Sequence, residues 1–190
     1  MRDTVADKRT AALKAALELI SEQGFHGTPM SQIAQKAGVS IGTIYHYFSG
    51  KDDLLNALYI DIKSRLARYV LQNYSCEMTV RKAFKHILSG VVRYCIENPA
   101  ELSFAEQYEN SPLITDATRK EISHISEPMT ELFRRAMEQE LIKALPVPML
   151  NTLILSAVIG LAKLYLSGPE KLEDASFEAG LDAIWDMIKR

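Results

Sequence analysis

The chain has 190 residues and 47% hydrophobic content, enough to bury a core and hold one or two domains. Its formal net charge of −2 excludes the general basic coat of a protein that holds nucleic acid along its whole surface. The charge is unevenly placed: residues 1–51 hold six Lys/Arg against four Asp/Glu, residues 52–190 sixteen against twenty, a slightly basic head on an acidic body.

Helical periodicity runs through nearly the whole chain, with no hairpin signal and no sustained alternation of period two. The opening "MRDTVADKRT" is charged and has no apolar core, so no signal peptide is expected. From Ala11, the series Ala12, Leu13, Ala16, Leu17, Leu19, Ile20 marks one helix face that stops at Gly24. Thr28 and Pro29 read as a cap and a first helical proline, opening a short helix that ends at Gly38. Ser40 caps the next helix, and Ser49 with Asp52 reads as a capping box starting a long helix to about Tyr74. Helices are expected over roughly 78–97, 100–109, 115–140, 149–166 and 171–189, broken by Pro99, Pro112, Pro146, Pro148 and Gly168-Pro169. Pro128 should kink or split the third of these. Cys76 and Cys95 have no metal-ligand spacing and read as buried reduced thiols of a cytoplasmic protein. The most apolar stretch, Val147 to Leu166, contains Asn151, Thr152, Ser156 and Lys163 and reads as a helix buried on two faces rather than a membrane span. The fold class is all-α: three short helices over residues 1–50, then a larger helical body over 51–190.

Residues 28–48 are two short helices joined by "AGVS". Small Ala34 suits close approach of the pair, Gly38 a backbone position with φ > 0, and Val39 a plug in the angle between them. This is the grammar of a helix-turn-helix, whose second helix enters the major groove. At 100° per residue Ile44 and Phe48 share the core side, while His46 points the opposite way with Gly42 and Thr43 beside it. Tyr45 and Tyr47 flank that face, within reach of phosphates on the two groove walls. Lys51 opposes the macrodipole of the helix it opens, so stability does not select it; a phosphate there would meet both the lysine and free backbone N–H groups.

The stretch "GTPMSQIAQKAGVSIGTIYHYFSGKDDLLNAL", residues 27–58, resembles the N-terminal domain of TetR-family (tetracycline-repressor-like) transcriptional regulators. The resemblance covers roughly residues 8–58 and extends further only as length and helical pattern. It implies a homodimer that binds a double-stranded DNA operator and is usually released by a small-molecule effector. From the residues themselves, no cofactor or metal is expected. By position, it assigns phosphate contacts to Thr28 and Ser31, groove reading to Ile41, Gly42, Thr43, Tyr45, His46 and Tyr47 after the Ser40 cap, and a phosphate to Lys51. Ile41 departs from the pattern, standing where relatives often carry a lysine or another polar group. That either removes a phosphate or base contact or supplies an apolar contact to a thymine methyl.

Residues 51–190 then have two expected tasks, effector binding and dimerisation. The last two helices are the dimerisation candidates. The first carries Leu150, Leu153, Ile154, Ala157, Val158, Leu161, Leu164 and Tyr165, with Gly160 and Ala162 allowing close approach; the second carries Phe177, Leu181, Ile184, Trp185 and Ile188 along one stripe. Closure of the monomer's own core is the alternative. Effector binding falls on Phe104, Gln107, Tyr108 and His124, because an apolar cavity with a few polar groups fits a small, mostly apolar ligand. Two rivals remain: an adaptor using the helical hairpin on a protein, and an enzyme, for which no catalytic motif or metal cluster is found.

Overall fold

A computed structural model describes residues 3–25, 27–168 and 175–190, with side chains from Lys8 onward. Ten helices account for the described residues, joined by turns and one isolated bridge between Ile142 and Lys189. They are α1 (Asp3–Gln23), α2 (Met30–Lys36), α3 (Ile41–Tyr47), α4 (Lys51–Val70), α5 (Val80–Glu97), α6 (Pro99–Tyr108), α7 (Asp116–Ile125), α8 (Glu127–Glu138), α9 (Val147–Ser167) and α10 (Ala175–Ile188). The all-α expectation holds, and Pro128 splits the 115–140 segment, because proline suits the first turn of α8 but not the interior of a longer helix.

Several boundaries differ from expectation. Helix α1 is 21 residues long rather than short. Helix α4 stops at Val70, and Asn73 adopts φ 60, where the apolar period had suggested continuation to Tyr74. The expected start of the last helix at residue 171, and Pro169 before it, lie outside the described residues. Cys95 is buried but Cys76 is exposed, in the turn between α4 and α5.

The chain packs as two compact units. The first comprises residues up to Lys63 together with Ala100–Ile122; the second comprises Ser64–Pro99 and Ser123–Arg190. This division does not follow the 50/51 boundary, since α6 and most of α7 belong with the N-terminal helices. The core of the first unit joins Ala12, Leu13, Ala16, Leu19 and Ile20 of α1 to Ile33, Ile44, Phe48, Leu54, Leu55 and Leu58. Phe104 and Tyr108 of α6 enter it, Phe104 tilted against Phe25 with centroids 5.5 Å apart and Tyr108 stacked on Phe25 at 5.9 Å. Asn56, 5% exposed, is satisfied on all sides. Its amide donates to the carbonyls of Asp52 (2.8 Å) and Leu113 (2.9 Å), and its oxygen accepts from the Thr115 N–H (3.2 Å).

In the second unit α5 is central, packing against α8, α9 and α10. Phe84 meets Phe133 at 5.6 Å and Trp185 at 5.2 Å, and Arg81 lies 4.8 Å over the Trp185 ring while bonding Asp182 at 2.6 Å. Phe177, Leu181, Ile184 and Ile188 of α10 are buried inside this unit. The stripe expected to meet a partner therefore closes the chain's own core. Helix α9 is buried along one face only, through Leu150, Ile154, Val158, Ala162 and Tyr165, not two.

Candidate nucleic-acid interface

The end of α2 sets the geometry. Gly38 has φ 68, its N–H donates to the Gln35 carbonyl (3.1 Å), and the Val39 N–H donates to the Ala34 carbonyl (3.0 Å). This is a Schellman closure, in which a left-handed residue satisfies the last carbonyls and turns the chain sharply. Lys36 holds α2 on α1 through Glu18 (3.3 Å) and Glu22 (3.2 Å), and Glu22 raises the lysine pKa. That tether was not legible in the sequence, because it depends on how the two helices cross.

Ser40 caps α3 as expected, its hydroxyl accepting the Thr43 N–H at 3.1 Å. The Ser40 and Thr43 hydroxyls also bond each other at 2.9 Å. Ile44 and Phe48 are 0% and 1% exposed, so the inward face is the one the 100° spacing gives. Outward lie Ile41 (43% exposed), Gly42, Tyr45 (54%) and His46, with Ser31 and Ser40 exposed beside them. Thr43 is half-buried. Tyr47 is half-buried too and packs against the core, with its ring edge-on to His46 at 5.3 Å. The two tyrosines are therefore not equivalent flanks.

Three expectations are corrected here. Thr28 is 0% exposed and donates its hydroxyl to the Gly24 carbonyl at 2.9 Å, so it neither caps α2 nor offers its side chain to a phosphate; Pro29 occupies the cap position. The carboxylate that closes the start of α4 is Asp53, not Asp52. It accepts from the Ser49 N–H (2.8 Å) and hydroxyl (3.1 Å), because Gly50 rather than Ser49 supplies the first helical carbonyl, to Leu54. Lys51 is half-buried, and its ammonium donates to the Phe25 carbonyl, which ties the start of α4 to the end of α1. An ammonium has three donors, so two remain for a phosphate. Arg9, which the sequence reading passed over, sets an exposed cation 5.5 Å over the Phe48 ring, beside the end of α3.

The effector residues do not come together. Phe104 and Tyr108 are core of the first unit, whereas Gln107 is exposed and bonds Ser103 (3.0 Å), and His124 is exposed on α7. Aromatic content on α6 signalled packing against Phe25, a contact invisible in sequence. No cluster of three potential metal ligands occurs among the described residues.

Two short helices crossed by a left-handed turn, with one polar-aromatic face outward, define a helix-turn-helix module for the DNA major groove. Residues 12–58 match the family described as bacterial regulatory proteins, tetR family, and residues 79–189 match the tetracyclin repressor-like, C-terminal domain. The chain belongs to the TetR family of transcriptional regulators, whose fold and helix-turn-helix it has. Over 64 residues it is 47% identical to the HTH-type transcriptional regulator BetI of Escherichia coli, covering 34% of this chain and 33% of that one. The chain thus matches about a third of the length of the curated relatives. A TetR-family transcription regulator from Shewanella sp. PV-4 has a TM-score of 0.88 at 25% identity, covering 96% of this chain and 98% of its own. One from Marinobacter aquaeolei VT8 has a TM-score of 0.90 at 24% identity, covering 100% and 99%.

Proposed function

We propose that the chain is a cytoplasmic repressor that binds a palindromic operator as a homodimer and is released by a small, largely apolar effector. The observation that carries the dimer is the outer face of α9. Met149, Leu153 and Leu164 are 50%, 39% and 51% exposed on it, in register with Gly160. A glycine inside a helix costs about 1 kcal/mol relative to alanine. Among the described residues a Cβ at Gly160 meets nothing within 4 Å, so their packing does not require this glycine. A second helix approaching closely does. Isologous pairing of α9 across a two-fold axis supplies it and duplicates α3.

His46, Thr43 and Gly42 then face base edges, Tyr45, Ser31 and Ser40 the groove walls, and Lys51 a phosphate. The effector reading is supported by the second unit's α5 and α8, which meet through aromatic rings that a small apolar molecule could part. A coupling of about 1–3 kcal/mol between effector and operator would loosen binding roughly 5–150-fold.

The test is selection of genomic and random duplexes on the purified protein at about 150 mM salt. The expected product is an inverted repeat with half-sites about one turn, roughly 34–36 Å, apart. Enrichment of an unrepeated site would overturn the homodimer, and no enrichment by effector-stripped protein would overturn operator binding.

A further inference from the structure

Resting on the reading of α3 as the helix that enters the groove, we propose that Ile41 forms a methyl-reading edge, with Tyr45 beside it reaching on to the groove wall. In it the Ile41 side chain packs on the C5-methyl group of one thymine in each half-site. Four observations lead there. The fold has no use for these side chains: Ile44 and Phe48 fill the core at 0% and 1% exposure, while Ile41 and Tyr45 stand 43% and 54% exposed. They are four residues apart on one helix, so their side chains are neighbours and make one continuous apolar ridge. Local structure does not select Ile41 either, since a β-branched residue is a mediocre helix former and the cap is supplied by Ser40. Finally, the nearest hydroxyls of the helix are engaged with one another, Ser40 with Thr43 at 2.9 Å, which leaves less polar reading capacity in the first turn.

The chemistry of the groove selects the partner. Guanine offers two acceptors there, cytosine an amino donor, and adenine an acceptor and a donor. An isoleucine pressed on any of these strips a polar atom of water and returns no hydrogen bond. Thymine alone presents an apolar group, its 5-methyl, at that edge. A sec-butyl side chain in contact with that methyl removes apolar surface from water on both sides. Gly42, exposed beside Ile41 and without a side chain, leaves the approach open.

The experiment uses the intact protein and the selected operator, with each thymine replaced singly by deoxyuridine, which differs only in lacking the methyl group. One position per half-site should weaken binding about fourfold, the loss of one buried methyl. The same replacement should be neutral for Ile41→Ala, and 5-methylcytosine at that position should bind better than cytosine. An operator that tolerates deoxyuridine everywhere overturns the inference while leaving operator binding intact. So does a penalty that persists unchanged in Ile41→Ala. Failure to recover any operator overturns the reading beneath it as well. The deoxyuridine scan on the unmodified protein needs no variant to fold.

Discussion

Tyr108 keeps its hydroxyl buried with no hydrogen-bond partner among the described residues, its ring stacked on Phe104 at 5.3 Å and edge-on to Tyr59 at 5.5 Å. Burial, and secondarily the Asp52 carboxylate, push its pKa up to about 12, and burial moves Tyr59 the same way. The folded state then holds a proton that the unfolded chain releases near pH 10. Stability is fully present below that pH and is lost as pH rises through about 12. Tyr108→Phe removes an unsatisfied polar atom while keeping the ring. It should equal or exceed the parent in stability at neutral pH, by about 1 kcal/mol at most, and should lose less above about pH 10. Urea midpoints at neutral and alkaline pH check both parts, and a less stable variant at neutral pH would mean that the hydroxyl is used.

At the scale of elements, Lys51 has a task the sequence did not suggest. It binds the Phe25 carbonyl within the fold, and its remaining donors are open to the phosphate proposed for it. Lys51→Ala should therefore weaken all duplexes alike and flatten the salt dependence by about one unit of slope. It should also cost about 1 kcal/mol in stability from the lost hydrogen bond. Filter binding across salt concentrations separates these effects, and altered preference at a single base would contradict the assignment. Much of this element was legible. A glycine two residues before a serine announced the turn, and the spacing of Ile44 and Phe48 fixed which way His46 points. What could not be read were choices made by tertiary contact: Asp53 over Asp52, because Gly50 takes the cap position, and the collapse of Phe104 and Tyr108 onto Phe25. The same holds for the end of α4, where Leu71 and Tyr74 continue the apolar period but Asn73 leaves the helical region.

For the whole molecule, the two apolar stripes at the end of the chain have different fates. That of α10 is consumed in the core, whereas α9 divides its apolar residues between an inner face and an outer one. Its length and composition would suit a membrane span, and its outer face is the one proposed above to meet a second copy. Leu153→Glu with Leu164→Glu should turn a dimer at micromolar concentration into a folded monomer. Sedimentation and circular dichroism would show this, and operator affinity should fall because only one half-site is held at a time. A doubly charged variant that remains dimeric would place the interface elsewhere.

Trp185 is the only tryptophan in the chain, and it sits under the Arg81 guanidinium and against the Phe84 ring, both on α5. The protein therefore carries a single indole fluorophore, selectively excited at the red edge of its absorption, whose colour and quenching report the α5–α10 packing. Helix α3 belongs to the other unit. A shift in emission when operator is added would be an optical record of strain carried from one unit into the other. Steady emission with full binding would mean that the reading helices engage DNA while the α5–α10 layer stays at rest.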